Sequence, residues 1–132
     1  MIFLRRFPLL ALLGLLAAAS SAAPLDDPAR HFLATYEQIR TALATDNLAA
    51  ARTAAQTLPE AEPVAAAADL TSARKAFKVL SARAVGLARG QPGFFIAHCS
   101  MFPGGADWVQ TSAELSNPYW GKAMPRCGEF VK

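Results

Sequence analysis

The character of the chain changes abruptly at Gly90, and this change limits what the sequence can fold into. From Asp27 to about Arg89 alanine is abundant and apolar residues recur at helical spacing. Residues 91–132 instead contain both cysteines, both tryptophans and no long periodic run. A loop of that length inside a compact domain is usually explained by a disulfide bond, a metal site or a binding site. We therefore expect a helical part and a chemically distinct tail.

The helical part has three stretches with the periodicity of amphipathic helices. The first starts at the Asp27-Pro28 pair, which is typical of a helix start, and the second covers residues 48–58. The third is capped by Asp69 or Thr71 and stops at Gly90. These signals predict an all-α fold, a small antiparallel three- or four-helix bundle with an irregular Cys/Met-rich C-terminal tail packed on it.

Two short elements can be expected inside the tail. The segment from Gly93 to Cys99 is compatible with a short strand or an extended arm, and a turn follows it. Beyond Trp108 we expect irregular chain with one helical turn near Ser112 to Leu115.

The first residues, MIFLRRFPLLALLGLLAAASSAAP, have the order of a secretory signal peptide: arginines, an apolar run from Leu9 to Ala19, then small residues. The run is shorter than the roughly 20 apolar residues of a membrane span. We expect a signal peptide at residues 1–22 and a single helical domain at 23–132, with the tail at 91–132. The protein is then exported, periplasmic in a Gram-negative host, with no stable membrane anchor after cleavage.

The charge balance argues against a nucleic-acid partner. Thirteen Lys and Arg against ten Asp and Glu give a net charge of +3, and removal of Arg5 and Arg6 with the leader lowers it to +1. Nucleic-acid binding needs a larger and clustered positive charge. We expect a solvated outer helix face to hold the basic residues Arg40, Arg52, Arg74, Lys75, Lys78 and Arg83.

Four sulfur atoms in the tail form two close pairs, Cys99 with Met101 and Met124 with Cys127. Thiolate and thioether are soft donors that favour Cu(I), whereas a zinc site more often uses a further cysteine or histidine. His98, next to Cys99, adds a nitrogen donor. The pattern makes a soft-metal site one of two candidates, although the expected export of the chain by itself favours the other, a disulfide.

A disulfide between Cys99 and Cys127 is the alternative. Exported proteins with an even number of cysteines usually pair them. Closing the 28-residue span between these positions stabilises a fold by roughly 3 to 4 kcal/mol on the loop-entropy model. Met101 and Met124 then serve as ordinary packing residues. Both alternatives stay open, and they can coexist as oxidised and reduced forms.

No pattern in the chain indicates an enzyme. The only histidines are His31 and His98, no Cys-x-x-Cys motif is present, and the glycines form no phosphate-binding loop. His31, in the first turn of the first helix, is expected to be exposed.

The runs IAHCSMFPGGADW and ELSNPYWGKAMPRCGE resemble the domain-of-unknown-function family numbered 3347. Its members carry a Cys-Pro-Met element, a Gly-Ala-x-Trp element and the pattern Asn-Pro-Tyr-aromatic-Gly-x-x-Met-x-x-Cys-Gly. The match is strong in the last forty or so residues and weaker from about residue 30. The resemblance implies a small exported helical module, alone or fused to adaptor subunits of copper and silver efflux systems.

The resemblance also implies which positions matter. The family pattern falls on Cys99, Met101, Trp108, Asn117, Pro118, Tyr119, Gly121, Met124, Cys127 and Gly128. Ser100 replaces the family's proline, and His98 occupies a variable position. Our first hypothesis is a Cu(I)- or Ag(I)-binding module for buffering or delivery to an efflux adaptor, with donors Cys99, Met101, Met124, Cys127 and, as a fifth candidate, His98. The second is an interaction module, without metal, held by the Cys99–Cys127 disulfide.

Overall fold

The structure is a computed structural model in which residues 22–132 are described. Apart from Ala22, the predicted signal peptide lies outside the described residues. The elements in chain order are α1 (Asp27–Ala44), α2 (Leu48–Ala55), α3 (Glu62–Ala65), α4 (Leu70–Ala88), β1 (Phe95–Cys99), β2 (Ala106–Gln110) and β3 (Glu129–Val131). In this part of the chain, no helix combines the length and the hydropathy that a membrane span requires.

The helices begin and end close to the predicted residues because local capping signals decide those positions. Asp26, one residue earlier than expected, caps α1 and accepts from the backbone N–H of Ala29 at 2.9 Å. Asp69 caps α4, as predicted, and accepts from the Ser72 N–H at 2.7 Å. Beyond α4, the backbone leaves the helical conformation at Arg89, whose ψ is 123°, and Gly90 follows with a φ of 75°.

The core lies where α1 and α4 meet the tail. Its largest fully buried side chains are Trp108, Tyr36, Tyr119, Phe32, Phe77 and Ile39. The rings of Tyr36 and Phe77 stack with centroids 4.8 Å apart, and the Phe77 and Tyr119 rings lie 5.9 Å apart. The buried alanines Ala51, Ala73 and Ala84 allow close approach of the helix backbones. The aromatic residues therefore join both parts of the sequence in one core.

The predicted all-α class is wrong, because the tail contains a three-stranded antiparallel sheet and the fold is mixed α/β. The strand order is β2-β1-β3, with Ala97 opposite Trp108 in one pair and opposite Phe130 in the other. Gly104 and Gly105, with φ of 75° and 66°, lie in the turn that joins β1 to β2. The short strand expected up to Cys99 exists; the tail as a whole is not irregular.

The sheet was hard to see in the sequence because its strands do not alternate cleanly. In β2 four of the five residues are buried, so the two-residue period of a half-exposed strand is missing. β3 is only three residues long, and all three residues are exposed. The helical turn expected near Ser112 to Leu115 is also wrong, since this segment forms bends and irregular chain.

Two of the arginines expected on a solvated face are instead partners of the tail backbone. Arg40 is 4% exposed and donates to the carboxylate of Glu37 at 2.7 Å and to the Ser116 carbonyl at 2.9 Å. Arg74 donates to the Pro118 carbonyl at 2.8 Å. The guanidinium groups donate to backbone carbonyls of an irregular segment. Outside a helix or sheet, such carbonyls need other hydrogen-bond donors. His31 is exposed, as predicted.

Candidate functional site

The two cysteines meet at one end of the sheet. Cys99 is the last residue of β1 and is 0% exposed, and Cys127 precedes β3 and is half-buried. Pairing of His98 with Glu129 brings the start of β3 alongside the end of β1. The two Sγ atoms lie 3.7 Å apart and both residues are free thiols. This separation exceeds the roughly 2.05 Å of a disulfide bond, so the site is a preformed dithiol.

Asn117 shapes the loop that carries Cys127. Its backbone N–H donates to the Pro125 carbonyl at 2.9 Å, and its Nδ2 donates to the Cys127 carbonyl at 2.7 Å. Its Oδ1 accepts from the N–H of Tyr119 at 2.7 Å and of Trp120 at 3.1 Å. Asn117 is fully buried, so these bonds do not compete with water. The side chain thereby sets the position of Cys127 relative to β1.

Gly128 allows the backbone to turn directly after Cys127. It adopts a φ of 120°, a conformation that side-chain-bearing residues rarely adopt. A Cβ at this position would lie 2.6 Å from the His98 carbonyl oxygen and 2.9 Å from the Trp108 ring. The loop and β1 can therefore approach this closely only with glycine at position 128.

The two thiols differ in their protonation equilibria. Burial alone would raise the pKa of the Cys99 thiol, but the Asn117 side chain, the backbone N–H of Phe102 and the Cys127 thiol outweigh it. The pKa of Cys99 consequently lies below its ordinary value. The hydrogen bond with Cys99, with burial as a smaller cause, raises the pKa of Cys127. Deprotonation therefore starts at Cys99, and Cys127 donates its S–H to the resulting thiolate.

An aromatic cluster covers the buried side of the dithiol. Cys99 belongs to the same buried cluster as Trp108 and Tyr119. The Tyr119 ring lies 4.7 Å from the Phe102 ring and 6.2 Å from the Trp108 ring, measured between centroids. The Tyr119 hydroxyl donates to the Asp107 carbonyl at 2.6 Å, which attaches the cluster to β2. Water reaches the thiols from the side of Cys127.

The other predicted donors have different positions. Met101 is 61% exposed in the turn after Cys99, and Met124 is half-buried, with its carbonyl accepting from the Cys127 N–H at 3.2 Å. His98 is on the opposite face of β1 from Cys99, because successive strand residues alternate. Its Nδ1 lies 2.6 Å from Oδ1 of Asp107. The structure thus brings the two cysteines together and separates His98 from them.

The residues present fit a soft cation better than a hard one. Between residues 22 and 132 no group of three His, Cys, Asp or Glu side chains has the arrangement of a metal site. The described residues therefore do not offer the ligand sets that four-coordinate zinc or oxygen-preferring cations require. Cu(I) and Ag(I) accept two or three soft ligands, for which two thiols and neighbouring thioethers are suitable.

Asp107 and the two tail-binding arginines were missed from sequence. Asp107 lies opposite His98 in the β1–β2 hairpin, and the available signal was the turn sequence Pro103-Gly104-Gly105 before β2. Arg40 and Arg74 bind backbone carbonyls, which every residue carries, and their partners therefore left no signal in the sequence.

No family model, curated protein or solved structure matches the chain. The resemblance to the family numbered 3347 is therefore still a prediction from the quoted motifs. The functional argument depends on the geometry of the dithiol and on the chemistry of its donors.

Proposed function

We propose that the protein is an exported binding module for Cu(I) or Ag(I), which buffers the ion or delivers it to an efflux system. The observation that carries the proposal is the pair of free thiols 3.7 Å apart, one of them with a lowered pKa. Metal binding requires thiolate, and a lowered pKa reduces the cost of losing the first proton. We propose no catalytic role.

The proposed donor set consists of two thiolates and two thioethers. Cys99 and Cys127 supply the charge; Met101 lies two residues after Cys99 in the sequence, and Met124 lies three residues before Cys127. We leave His98 out of the set because its ring pairs with Asp107 on the other face of β1. Thioethers bind without losing a proton, so they add affinity for a soft ion at any pH.

The partner and the compartment belong to the same proposal. The leader pattern favours export, and the resemblance favours a copper or silver efflux adaptor as the recipient of the ion. We propose a periplasmic location if the host is Gram-negative.

A disulfide-stapled interaction module is the second candidate, and the same 3.7 Å separation favours it. The two thiols would lose two protons and two electrons to a disulfide oxidant of the export compartment, and an S–S bond would form. The product would hold the loop at Cys127 against β1 and leave no thiolate for an ion.

Mass spectrometry of the protein taken from its native compartment without reductant tests both candidates. Binding predicts a copper or silver adduct under nondenaturing conditions, with thiols that react with an alkylating reagent only after chelation. A mass lower by two hydrogens and no alkylation before reduction would instead establish the disulfide and contradict the ion-binding proposal for the resting protein.

Substitution of the methionines tests the donor set. Met101→Ala and Met124→Ala should each weaken Cu(I) binding, measured by competition with a chelator, while the far-ultraviolet circular dichroism of the apo protein stays unchanged. Val79→Ala is the matched control, because Val79 is exposed like Met101 but lies on α4. Equal Cu(I) affinity in the wild type and both methionine variants would remove the thioethers from the donor set.

A further inference from the structure

Cys99 and Cys127 differ in how firmly the fold holds them. β1 is the central strand of the sheet, paired with β2 on one side and β3 on the other, and Cys99 is paired opposite Ala106. Cys127 lies outside the strands, and its backbone bonds are those to Met124 and to the Asn117 side chain. Cys99 therefore has a fixed position, whereas the position of Cys127 depends on a loop.

The two sulfurs also differ in access. Cys99 is fully buried among core side chains. Cys127 is half-buried and lies between two exposed residues, Arg126 and Gly128. An incoming donor atom must touch an ion before an outgoing one leaves, and it can approach only where the site is open to solvent. The open side of this site is at Cys127.

We propose that the two thiols have separate roles in ion transfer, with Cys99 as the retained donor and Cys127 as the exchanging donor. This inference rests on the proposed binding of a soft ion. The recipient is a partner that presents a soft donor, thiolate or thioether, on a protruding segment able to reach Cys127. Its donor takes the place of the Cys127 sulfur while Cys99 keeps its bond, and Cys99 is released last.

The first experiment needs no variant. The apo wild type is treated with a small alkylating reagent, and modification is followed on tryptic peptides, which separate Cys99 (residues 90–122) from Cys127 (residues 127–132). Access controls the rate at a buried thiol, so we expect Cys127 to react at least about tenfold faster than Cys99. Equal rates, or faster reaction of Cys99, would overturn the assignment.

The second experiment measures Cu(I) binding by competition with a chelator in Cys99→Ser, in Cys127→Ser and in the double variant. Cys127→Ser should keep measurable binding with faster release, whereas Cys99→Ser should fall to the level of the double variant. Equal losses in the single variants, or the reverse order, would overturn the inference and leave ion binding intact. If the wild type binds Cu(I) no better than the double variant, the proposed function is wrong and the inference is wrong with it.

Because Cys99 is buried, Cys99→Ser can lose stability as well as a donor. Cys99→Ala, which leaves no unpaired hydroxyl in the core, is the second variant for that position. Binding is compared at a temperature where circular dichroism shows each variant to be folded. If Cys99→Ala is folded and still binds Cu(I) better than the double variant, Cys99 is not the retained donor.

Discussion

Arg74 connects three segments of the chain through a single side chain. Its Nε donates to the Pro118 carbonyl at 2.8 Å, and its Nη2 donates to the Leu43 carbonyl at 2.9 Å and to Asp46 Oδ1 at 2.7 Å. The planar guanidinium group donates to several acceptors at once in a fixed geometry. The ammonium group of a lysine cannot reproduce that geometry.

Arg74→Ala should lower the free energy of unfolding by about 1 to 3 kcal/mol, because it leaves partly buried carbonyls without a donor. Lys75→Ala, at the exposed neighbouring position, should change it by less than about 0.5 kcal/mol. Urea unfolding of both variants measures the difference. Equal effects of the two substitutions would show that Arg74 does not hold the tail.

Asn117 has two functions that different substitutions can separate. Asn117→Asp keeps an acceptor for the N–H groups of Tyr119 and Trp120 but loses the NH₂ group beside the dithiol. The added negative charge and the lost donor should both raise the pKa of Cys99. Thiolate absorbance against pH, recorded in a Cys127→Ser background with and without Asn117→Asp, should move to higher pH. An unchanged titration would contradict the role given to this amide.

At the scale of elements, turns decide where the tail can lie against the helices. Gly121, at the start of a single 3₁₀ turn, has a φ of 56°, and a Cβ there would collide with the side chains of Asp46 and Arg74. The close approach of this turn to the end of α1 therefore requires glycine. Gly86 is the opposite case, since it lies on the exposed side of α4 with no atom within 4 Å of its added Cβ.

Gly121→Ala should destabilise the protein by about 2 kcal/mol or more, from backbone strain and the clash. Gly86→Ala should stabilise it by about 0.5 to 1 kcal/mol, because alanine loses less entropy in a helix interior. Thermal unfolding of the two variants, compared with the wild type, measures the sign of each stability change. If both substitutions had the same sign, the left-handed turn at Gly121 would not be a constraint.

At the scale of the whole molecule, one buried hydroxyl network joins the helices to the sheet. Ser81 of α4 lies 2.8 Å from the Tyr36 hydroxyl and donates to the Tyr119 hydroxyl at 3.0 Å, because the Tyr119 proton is donated to the Asp107 carbonyl. Tyr36 also accepts from the backbone N–H of Val109 at 3.2 Å. These are the only tyrosines in the chain, and burial raises the pKa of both above the ordinary value of 10.

The raised pKa values predict a loss of stability at alkaline pH. The unfolded chain ionises both phenols near pH 10, whereas the folded state keeps the protons, so the stabilisation is complete below that pH. The free energy of unfolding should fall as pH rises from about 10 through the folded-state values, by up to about 1.4 kcal/mol per pH unit for each tyrosine. Urea unfolding at several pH values measures this slope.

Tyr36→Phe provides the control for this titration, because it removes one phenol and should make the alkaline slope shallower. Tyrosinate absorbance gives an independent check: the native protein should show no ionisation near pH 10, and the protein in urea should show both groups. Tyrosinate that formed near pH 10 in the native state would contradict the burial of the network.

Much of the helical part could be read from the sequence because its determinants are local. Asp69 caps α4 through a residue three positions away, and α4 ends two residues before Gly90. The bends at Gly121 and Gly128 also depend on single residues, since both glycines adopt positive φ. The thiol pair was a candidate from composition, since it required only that the two cysteines of the chain meet.

The tertiary structure alone decided the sheet, the separation of His98 from the thiols, and the inequality of the two cysteines. Strand pairing joins residues that are far apart in the chain, such as Ile96 and Val131. The sequence around either residue does not indicate its partner. Arg40 and Arg74 find backbone carbonyls, which are identical at every position. Local propensities therefore determined which segments are helical, whereas long-range pairing and burial determined which sulfur is enclosed and which one meets the solvent.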